Sequence, residues 1–284
     1  MSENKQIILA VIVKNENQYL NEFFNYYYSI GVDKIIVADN NEINDYSERL
    51  SSLPIVNEMV ICKKMEIINL RGFRGIQKNF YNYVIDNYEY LWCLFLDADE
   101  FLTFGDNYKY PNIREYLEEA YNNNIDAIKV NWLCFGDNNK IRYEPIPVTE
   151  RFPQPFTLDK KDENGNFYNG HCKSILSNRC KSSFLDNPHT VINGKYFLPD
   201  FSATDSSPFN LEKVDYGILF IRHYITKTIE EYMTKRMGRG YADMINDKVI
   251  DRSTYPLTKF FLINEKTEEH KKYIEKYYAS IKQE

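Results

Sequence analysis

The sequence lacks the features that mark membrane-spanning, disulfide-rich and nucleic-acid-binding proteins. A membrane-spanning helix needs about 18 consecutive uncharged apolar residues, and no stretch of the sequence approaches this length. The five cysteines are scattered without tight pairs, which argues against a disulfide framework and against a zinc site. The net charge of −6 excludes a strongly basic protein, so we expect no nucleic-acid partner.

A targeting signal is also missing from the first residues. The opening Met-Ser-Glu-Asn-Lys-Gln leads directly into a strand-like apolar run and has no signal-peptide pattern. We therefore expect a cytoplasmic protein with reduced thiols. Peripheral contact with the inner face of the membrane is an alternative location.

Two glycine-rich phosphate-binding motifs are absent as well. No G-x-G-x-x-G follows the first apolar run, and G-x-x-x-x-G-K-[ST] does not occur. These absences argue against a dinucleotide-binding Rossmann domain and against a P-loop NTPase.

The most informative stretch that is present runs from Leu91 to Phe101. Its apolar part, Leu91 to Leu96, predicts a buried strand of a parallel sheet, followed directly by Asp97, Asp99 and Glu100. Ligands bind at the carboxyl ends of such strands. On a fully extended strand Asp97 and Asp99 would share a face, and their oxygens suit Mg²⁺ or Mn²⁺.

The remaining pattern predicts alternating strands and helices. The apolar strand Ile7 to Val13, a helix ending at Gly31, and the strand Lys34 to Ala38 form a βαβ unit. Further strands are predicted at Met59 to Cys62, Asp126 to Trp132 and Gly217 to Ile221, and loops over 144–169. Further helices are predicted from Ile76, at Ile113 to Tyr121 and, with an amphipathic pattern, at Glu265 to Lys282. A capping box at Thr228 to Glu231 opens a basic helix that continues through Arg239.

Polar residues follow each early strand. Asn15 and Glu16 come after the first strand, Asp39 after the second, and Asp97 with Asp99 after the central one. Because parallel strands end at one edge of the sheet, these side chains predict a nucleotide site there.

Several short motifs occur in a characteristic order. They are Val13-Lys14-Asn15-Glu16, Ala38-Asp39-Asn40, Gln77, Leu96-Asp97-Ala98-Asp99-Glu100-Phe101, Trp132 with Phe135-Gly136, Glu150-Arg151-Phe152, His171-Cys172-Lys173, and His223-Tyr224 followed by Lys235 and Arg239-Gly240. In these motifs the chain resembles the GT-A glycosyltransferases of the broad family 2 group. Over residues 7 to about 240 it is most similar to bacterial relatives of glycosyltransferase family 92.

The resemblance implies an α/β fold of the GT-A, Rossmann-like type, with a mixed, mostly parallel sheet and flanking helices. A GT-A domain would cover residues 1–245, with a donor half of about 1–105 and an acceptor half of about 106–245, followed by a C-terminal helical extension over 246–284. It also implies an inverting transfer from a nucleotide sugar, most often a UDP-sugar, to a glycan or lipid-linked acceptor, with Mn²⁺ or Mg²⁺.

The resemblance also assigns residues to the donor. Asp97, Asp99 and His223 would hold the metal, and Lys173 would neutralise the diphosphate. The other donor-binding positions would be Val13, Asn15, Glu16, Asp39, Arg74, Gln77, Ala98, His171 and His189. Hydrogen-bonded structural roles are the alternative for His171 and His189.

The catalytic base is left open by the sequence. An acceptor hydroxyl needs a carboxylate to take its proton, and Asp137, Asp186 and Asp205 are the candidates. The alternative for each is an ordinary loop carboxylate.

Three other functions compete with transfer. A sugar-nucleotide pyrophosphorylase would need a glycine-rich loop after the first strand, where Lys14-Asn15-Glu16-Asn17 stands. A haloacid-dehalogenase-type phosphatase would need Thr where Phe101 stands. A non-catalytic sugar-nucleotide-binding protein would keep the fold and bind the donor without turnover.

Overall fold

A computed structural model describes residues 6–41, 49–69, 76–157, 161, 165, 168–180, 182–184, 187–209, 214–236 and 257–281. Within these ranges ten strands form one sheet, and none of the helices is long and apolar enough to cross a bilayer.

The first half of the sheet is parallel. Its strands, in spatial order, are β3 (Met65–Asn69), β2 (Lys34–Asp39), β1 (Ile7–Val13) and β4 (Trp92–Phe95). The predicted βαβ unit is therefore confirmed, and the predicted central strand lies at the end of this parallel half.

The second half of the sheet is mixed. Beyond β4 it continues with β7 (Cys172–Ser177), β6 (Ala127–Cys134), β10 (Leu219–His223) and β5 (Glu100–Phe104), while β8 (Tyr196–Phe197) and β9 (Ala203–Thr204) extend from β6. β4 pairs antiparallel with β7, β7 antiparallel with β6, β6 parallel with β10, and β10 antiparallel with β5. The prediction of a mixed, mostly parallel α/β sheet with flanking helices is confirmed.

Helices cover both faces of this sheet. They are α1 (Asn17–Ile30), α2 (Pro54–Ile61), α3 (Ile76–Asn87), α4 (Ile113–Asn122), α5 (Val148–Arg151), α6 (Ile229–Glu231), α7 (Leu257–Ile263) and α8 (Glu268–Ile281). A π-helical turn, Tyr232–Arg236, continues α6, and 3₁₀ turns occupy Leu50–Ser52 and Tyr168–Gly170.

The uninterrupted apolar run of β1 is explained by burial on both sides. Leu9 and Val11 pack in the cluster that contains Phe23 of α1, whereas Ile8 and Ala10 pack in the cluster that contains Phe80 of α3. Because alternate side chains enter two different cores, the strand has no polar face.

One predicted strand is wrong. Met59 to Cys62 overlaps α2, which begins with Pro54 at its first turn, and the third strand is Met65–Asn69 instead. Helix and strand cannot be distinguished by periodicity in so short an apolar run, and proline is favoured in the first turn of a helix.

The C-terminal helices pack on the body of the domain. Phe260 of α7 is buried in a small cluster with Ile229 and Met233, and Tyr273 and Tyr277 of α8 pack against the same cluster. The predicted domain boundary at 245 and 246, and the predicted end of the basic helix at Arg239, lie outside the described residues.

Candidate functional site

The polar residues predicted from the sequence meet at one edge of the sheet. The strand directions place the carboxyl ends of β1, β2, β3, β4, β6 and β10 at this edge, together with the amino ends of β5 and β7. A ligand at this edge can therefore be contacted by residues from eight strands.

Asp97 lies in the turn that follows β4. Its Oδ2 is 2.8 Å from the Nζ of Lys173, and its Oδ1 accepts a 2.6 Å hydrogen bond from the Nε2 of Gln77. Lys173 is the second residue of β7, which runs antiparallel to β4 and so starts where β4 ends. Three residues predicted for the donor site are thus brought into direct contact, and the Asp97 side chain keeps 33% exposure.

Glu100, the first residue of β5, contacts both Asp97 and Lys173. Its Oε2 accepts a 2.8 Å hydrogen bond from the backbone N–H of Asp97 and lies 3.6 Å from the Nζ of Lys173. Burial raises the pKa of the Glu100 carboxyl well above its usual range, although Lys173 opposes the shift. Burial would lower the pKa of Lys173, but attraction to Asp97 and Glu100 raises it, so the ammonium stays charged.

Asp99 has different partners from Asp97. Its Oδ1 lies 3.5 Å from the Nε2 of His223, and its Oδ2 lies 3.7 Å from the Nζ of Lys227. The sequence-based expectation that the two aspartates share a strand face is wrong, because β4 ends at Phe95 and both lie in the turn after it.

Pairing of β5 with β10 explains how His223 reaches Asp99. β10 is separated from β4 by β7 and β6, but the chain passes from Asp99 into β5, where Glu100 is opposite His223. The backbone N–H of Tyr224 also donates to the carbonyl of Asp99 at 3.0 Å. The two aspartates of the motif therefore face two different strands.

Lys227 was not identified from the sequence. It is only 7% exposed, its φ of 54° is left-handed, and its Nζ lies 4.7 Å from the centre of the Tyr19 ring. The available signal was its position: it directly precedes Thr228, the cap of α6, just beyond a strand that ends at the site. The structure thus places two lysines beside the two aspartates.

A divalent cation would find suitable donors here. In an octahedral site, neighbouring ligand atoms lie about 3 Å apart, close to the 3.5 Å between Asp99 Oδ1 and His223 Nε2. No group of three or more His, Cys, Asp or Glu that could hold a metal occurs in the described part of the chain. This small donor set fits Mg²⁺ or Mn²⁺, which typically bind one or two carboxylates and complete their coordination with phosphate and water.

Trp132, near the end of β6, gathers three histidines. Its ring centre is 4.8 Å from that of His171, 4.3 Å from that of His223 and 5.4 Å from that of His189. The Nδ1 of His189 lies 2.9 Å from the carbonyl oxygen of Cys172, and burial together with Lys173 lowers its pKa. His189 is therefore a neutral ring fixed to the backbone.

The predicted nucleoside side lies at the ends of β1 and β2. Val13 is fully buried, and its carbonyl accepts a 3.0 Å bond from the N–H of Asn40. Asn41 joins the two loops, since its Oδ1 accepts from the N–H of Asn15 and its Nδ2 donates to Asp39 at 2.7 Å. Glu16 and Ala98 are buried at the same edge, and Arg74 lies outside the described residues.

The candidate bases are separated by the structure. Asp137 is buried, and its Oδ2 is 2.6 Å from the Nε2 of His270 in α8. Asp205 is 74% exposed and pairs at 2.8 Å with the buried Lys129, which lowers its pKa. Asp186 lies outside the described residues, and the catalytic role of Asp137 stays a prediction.

A second cluster of charged and polar groups surrounds the carboxylate of Glu231. Arg151 donates two 2.9 Å bonds to Glu231, which also accepts from the hydroxyls of Tyr19 and Thr228. Burial opposes ionisation of Glu231, but these hydrogen bonds lower its pKa to about 2. The cluster fixes α5, α6 and α1 against one another.

The chain is similar to solved structures at low sequence identity. No protein-family model and no curated protein matches the chain. S. aureus TarS 1–349 matches with a TM-score of 0.38 and 14% identity over 95% of this chain and 78% of that chain. A further TarS structure matches with a TM-score of 0.38 and 13% identity over 82% of this chain.

The TarS 1–349 complex with UDP-GlcNAc matches with a TM-score of 0.31 and 16% identity over 49% of this chain. The chain spans 37% and 38% of the length of two of these matched TarS chains. Matches at this identity and TM-score carry no argument about the function of the chain.

Proposed function

We propose that the chain is a GT-A glycosyltransferase, family 2-like and on the branch of the bacterial relatives of family 92. It transfers a sugar from a nucleotide sugar, most often a UDP-sugar, to a hydroxyl of a glycan or glycolipid, with inversion. One observation carries the proposal: Asp97 and Asp99, at the end of the central strand, lie beside two buried lysines and His223.

The lysines supply the charge that a diphosphate requires. Lys173 is held by Asp97 and Glu100, whereas Lys227 approaches Asp99 only to 3.7 Å. Ammonium groups are common phosphate-binding groups, and hydrogen bonds with ionised partners are stronger than neutral ones. We assign Lys173 and Lys227 to the donor diphosphate, where they stabilise the negative charge of the leaving group.

The metal assignment follows the same geometry. Asp99 and His223 would hold Mn²⁺ or Mg²⁺ against the diphosphate. Asp97, the third residue predicted as a ligand, contacts Lys173 and Gln77 and forms no metal-holding group with these two among the described residues. A bound cation offsets the charge that develops on the leaving group as the bond to the sugar breaks. Gln77 and Lys173 keep the Asp97 carboxylate oriented in either case.

The acceptor hydroxyl must lose its proton as it attacks the anomeric carbon. Asp137 remains our candidate for this role, with His270 donating to its Oδ2 when the imidazole proton is on Nε2. Deprotonated Asp137 would take the hydroxyl proton in a single in-line displacement.

A calorimetric titration tests the proposal. UDP should bind the full chain, and Mn²⁺ should strengthen that binding. Stronger binding of an adenine dinucleotide than of UDP would reject the proposal. UDP binding with Mn²⁺, but without hydrolysis of or transfer from any nucleotide sugar, would favour the non-catalytic binding protein. Release of diphosphate from a nucleoside triphosphate and a sugar phosphate would favour the pyrophosphorylase.

A further inference from the structure

A cleft of about 440 Å³ lies beyond the carboxyl end of β6. Three segments line it: the turn 136–139, the stretch 154–157 and the junction 263–265 between α7 and α8. Its volume falls in the usual range of small-molecule sites, about 300–1,000 Å³. Asp137, the candidate base, lines it, and none of the proposed donor-binding residues is among the described lining residues.

The floor of the cleft is rigid. Asn264 accepts a 2.7 Å bond from the N–H of Asp137 and donates to Thr226, while His270 contacts the Asp137 carboxylate. A Cβ at Gly136 would lie 2.4 Å from the Oδ1 of Asn264, so the approach of α7 requires glycine there. A buried, hydrogen-bonded floor keeps the shape of a site fixed before a ligand arrives.

The walls carry polar groups that face solvent. Asn139, Gln154, Thr157 and Glu265 are exposed, and in the described ranges none of their side chains makes a hydrogen bond. Asn138 and Asn139 have φ of 49° and 61°, so two consecutive residues adopt the left-handed conformation at the rim. Such backbone is uncommon outside glycine and is concentrated at functional sites.

The charge of the lining indicates which ligand it suits. Among the residues that the structure describes, the ionisable side chains of the lining are Asp137 and Glu265, both acidic. These two carboxylates repel a phosphate or other anion, in contrast to the donor edge, where Lys173 and Lys227 lie beside Asp97 and Asp99. Amide, hydroxyl and carboxylate groups beside the half-buried ring of Phe156 match a hydroxyl-rich ligand with an apolar face.

The position of the cleft links it to the donor site. The N–H of Phe135 donates a 2.9 Å bond to the carbonyl of His223, and the cleft begins at the next residue, Gly136. We propose that this cleft binds the sugar acceptor, and that the acceptor is a neutral or amine-bearing oligosaccharide. The inference rests on the proposed transferase function and adds the class of its second substrate.

A glycan array tests the inference with the full chain. The array carries neutral, amine-bearing and anionic oligosaccharides, and UDP binding with Mn²⁺ is measured in parallel by calorimetry. The test variant is Asn139→Gly with Gln154→Ala, because glycine keeps the left-handed conformation of residue 139. The control is Asn124→Gly, an exposed position with φ of 59° near the amino end of β6, at the opposite edge of the sheet.

The proposal expects retention of neutral or amine-bearing glycans. The test variant should weaken that retention at least about tenfold, equivalent to about 1.4 kcal/mol, while the control and UDP affinity stay unchanged. No retention, retention of anionic glycans only, or retention that the test variant leaves intact would overturn it. Failure to bind UDP would instead reject the transferase function, so the two failures are distinguishable.

Discussion

Two buried ion pairs within a few residues of each other differ in their geometry. Arg151 meets Glu231 through two bonds of 2.9 Å, with both residues almost fully buried. Lys227, four residues before Glu231, approaches Asp99 only to 3.7 Å although both are also buried. We call the pair of Arg151 and Glu231 the closed pair and the pair of Lys227 and Asp99 the open pair, after these distances.

The two pairs differ in how closely the carboxylate is approached by its partners. Glu231 accepts from Arg151, Tyr19 and Thr228, which leaves it no capacity for a ligand. The Oδ1 of Asp99 lies 3.5 Å from the Nε2 of His223, and its Oδ2 lies 3.7 Å from the Nζ of Lys227, so both distances are longer than those between Arg151 and Glu231. The comparison shows that the short, bidentate pair joins three helices, whereas the longer pair lies beside the proposed donor site.

Removal of the closed pair should have the largest effect. Arg151→Met leaves Glu231 buried without its counter-charge, which costs about 3–5 kcal/mol of the free energy of unfolding. Chemical denaturation measures this loss. The matched control is Arg142→Met, which breaks an ion pair with Glu230 whose arginine side chain is 55% exposed and should cost at most about 1 kcal/mol. Equal losses in the two variants would contradict the distinction.

Neutralising the open pair should affect turnover instead. Asp99→Asn keeps the shape but removes the charge, so transfer or donor hydrolysis should fall at least about 100-fold. The melting temperature should change little or rise, because Asp99 is buried and its charge repels that of the neighbouring Glu100 carboxylate. Asp106→Asn, an exposed position in the turn after β5, serves as the control. Retained turnover of Asp99→Asn at saturating Mn²⁺ would refute the assignment.

The substitution Lys227→Met removes the cation of the open pair and leaves its carboxylate in place. Methionine keeps much of the stem that packs near Tyr19 but cannot bind phosphate. Hydrogen bonds to charged groups contribute about 1.5–3 kcal/mol, so UDP affinity should fall roughly tenfold or more. Stability should stay near that of the wild type. Unchanged UDP affinity in calorimetry, together with a lower melting temperature, would make Lys227 a structural residue like Arg151.

His223→Ala should have the smallest effect of the four. The Mn²⁺-dependent part of UDP binding should weaken at least about tenfold, which is about 1.4 kcal/mol, with a small change in melting temperature. Asn124→Gly, at the opposite edge of the sheet, is the control and should leave the Mn²⁺ dependence of UDP binding unchanged. A large loss of stability in His223→Ala with unchanged Mn²⁺ dependence would assign it a structural role.

Most of the parallel half of the fold could be predicted from the sequence. β1, α1 and β2 follow from an apolar run, a helical repeat and Gly31, whose φ of 109° ends the helix. The position of β7 between β4 and β6 could not be predicted, because an antiparallel insertion depends on pairing across about eighty residues of chain, from Trp92 to Ser177. The Met59 to Cys62 error has a similar origin in the weak local signal of a short segment.

Some residues of the candidate site could be predicted from the sequence, and others could not. Asp97 and Asp99 were identified because they follow an apolar strand, whereas Lys173 was identified through the resemblance in its motif His171-Cys172-Lys173. The structure brings all three to one edge. The partner of Asp137 could not be predicted, because His270 comes from a helix more than a hundred residues later. Lys227 was missed because a single lysine in a loop has no sequence pattern that separates it from a surface lysine.

The left-handed backbone of Lys227 has a consequence for engineering. Eight non-glycine residues in the described ranges have positive φ, and five of them are asparagines, which tolerate this conformation. Lys227, at 54°, would be a natural choice for a stabilising replacement by glycine. That replacement would also delete the cation beside Asp99. If Lys227 binds the donor diphosphate as proposed, selection for thermal resistance at this position would work against donor binding, so that stability and activity would oppose each other at one side chain.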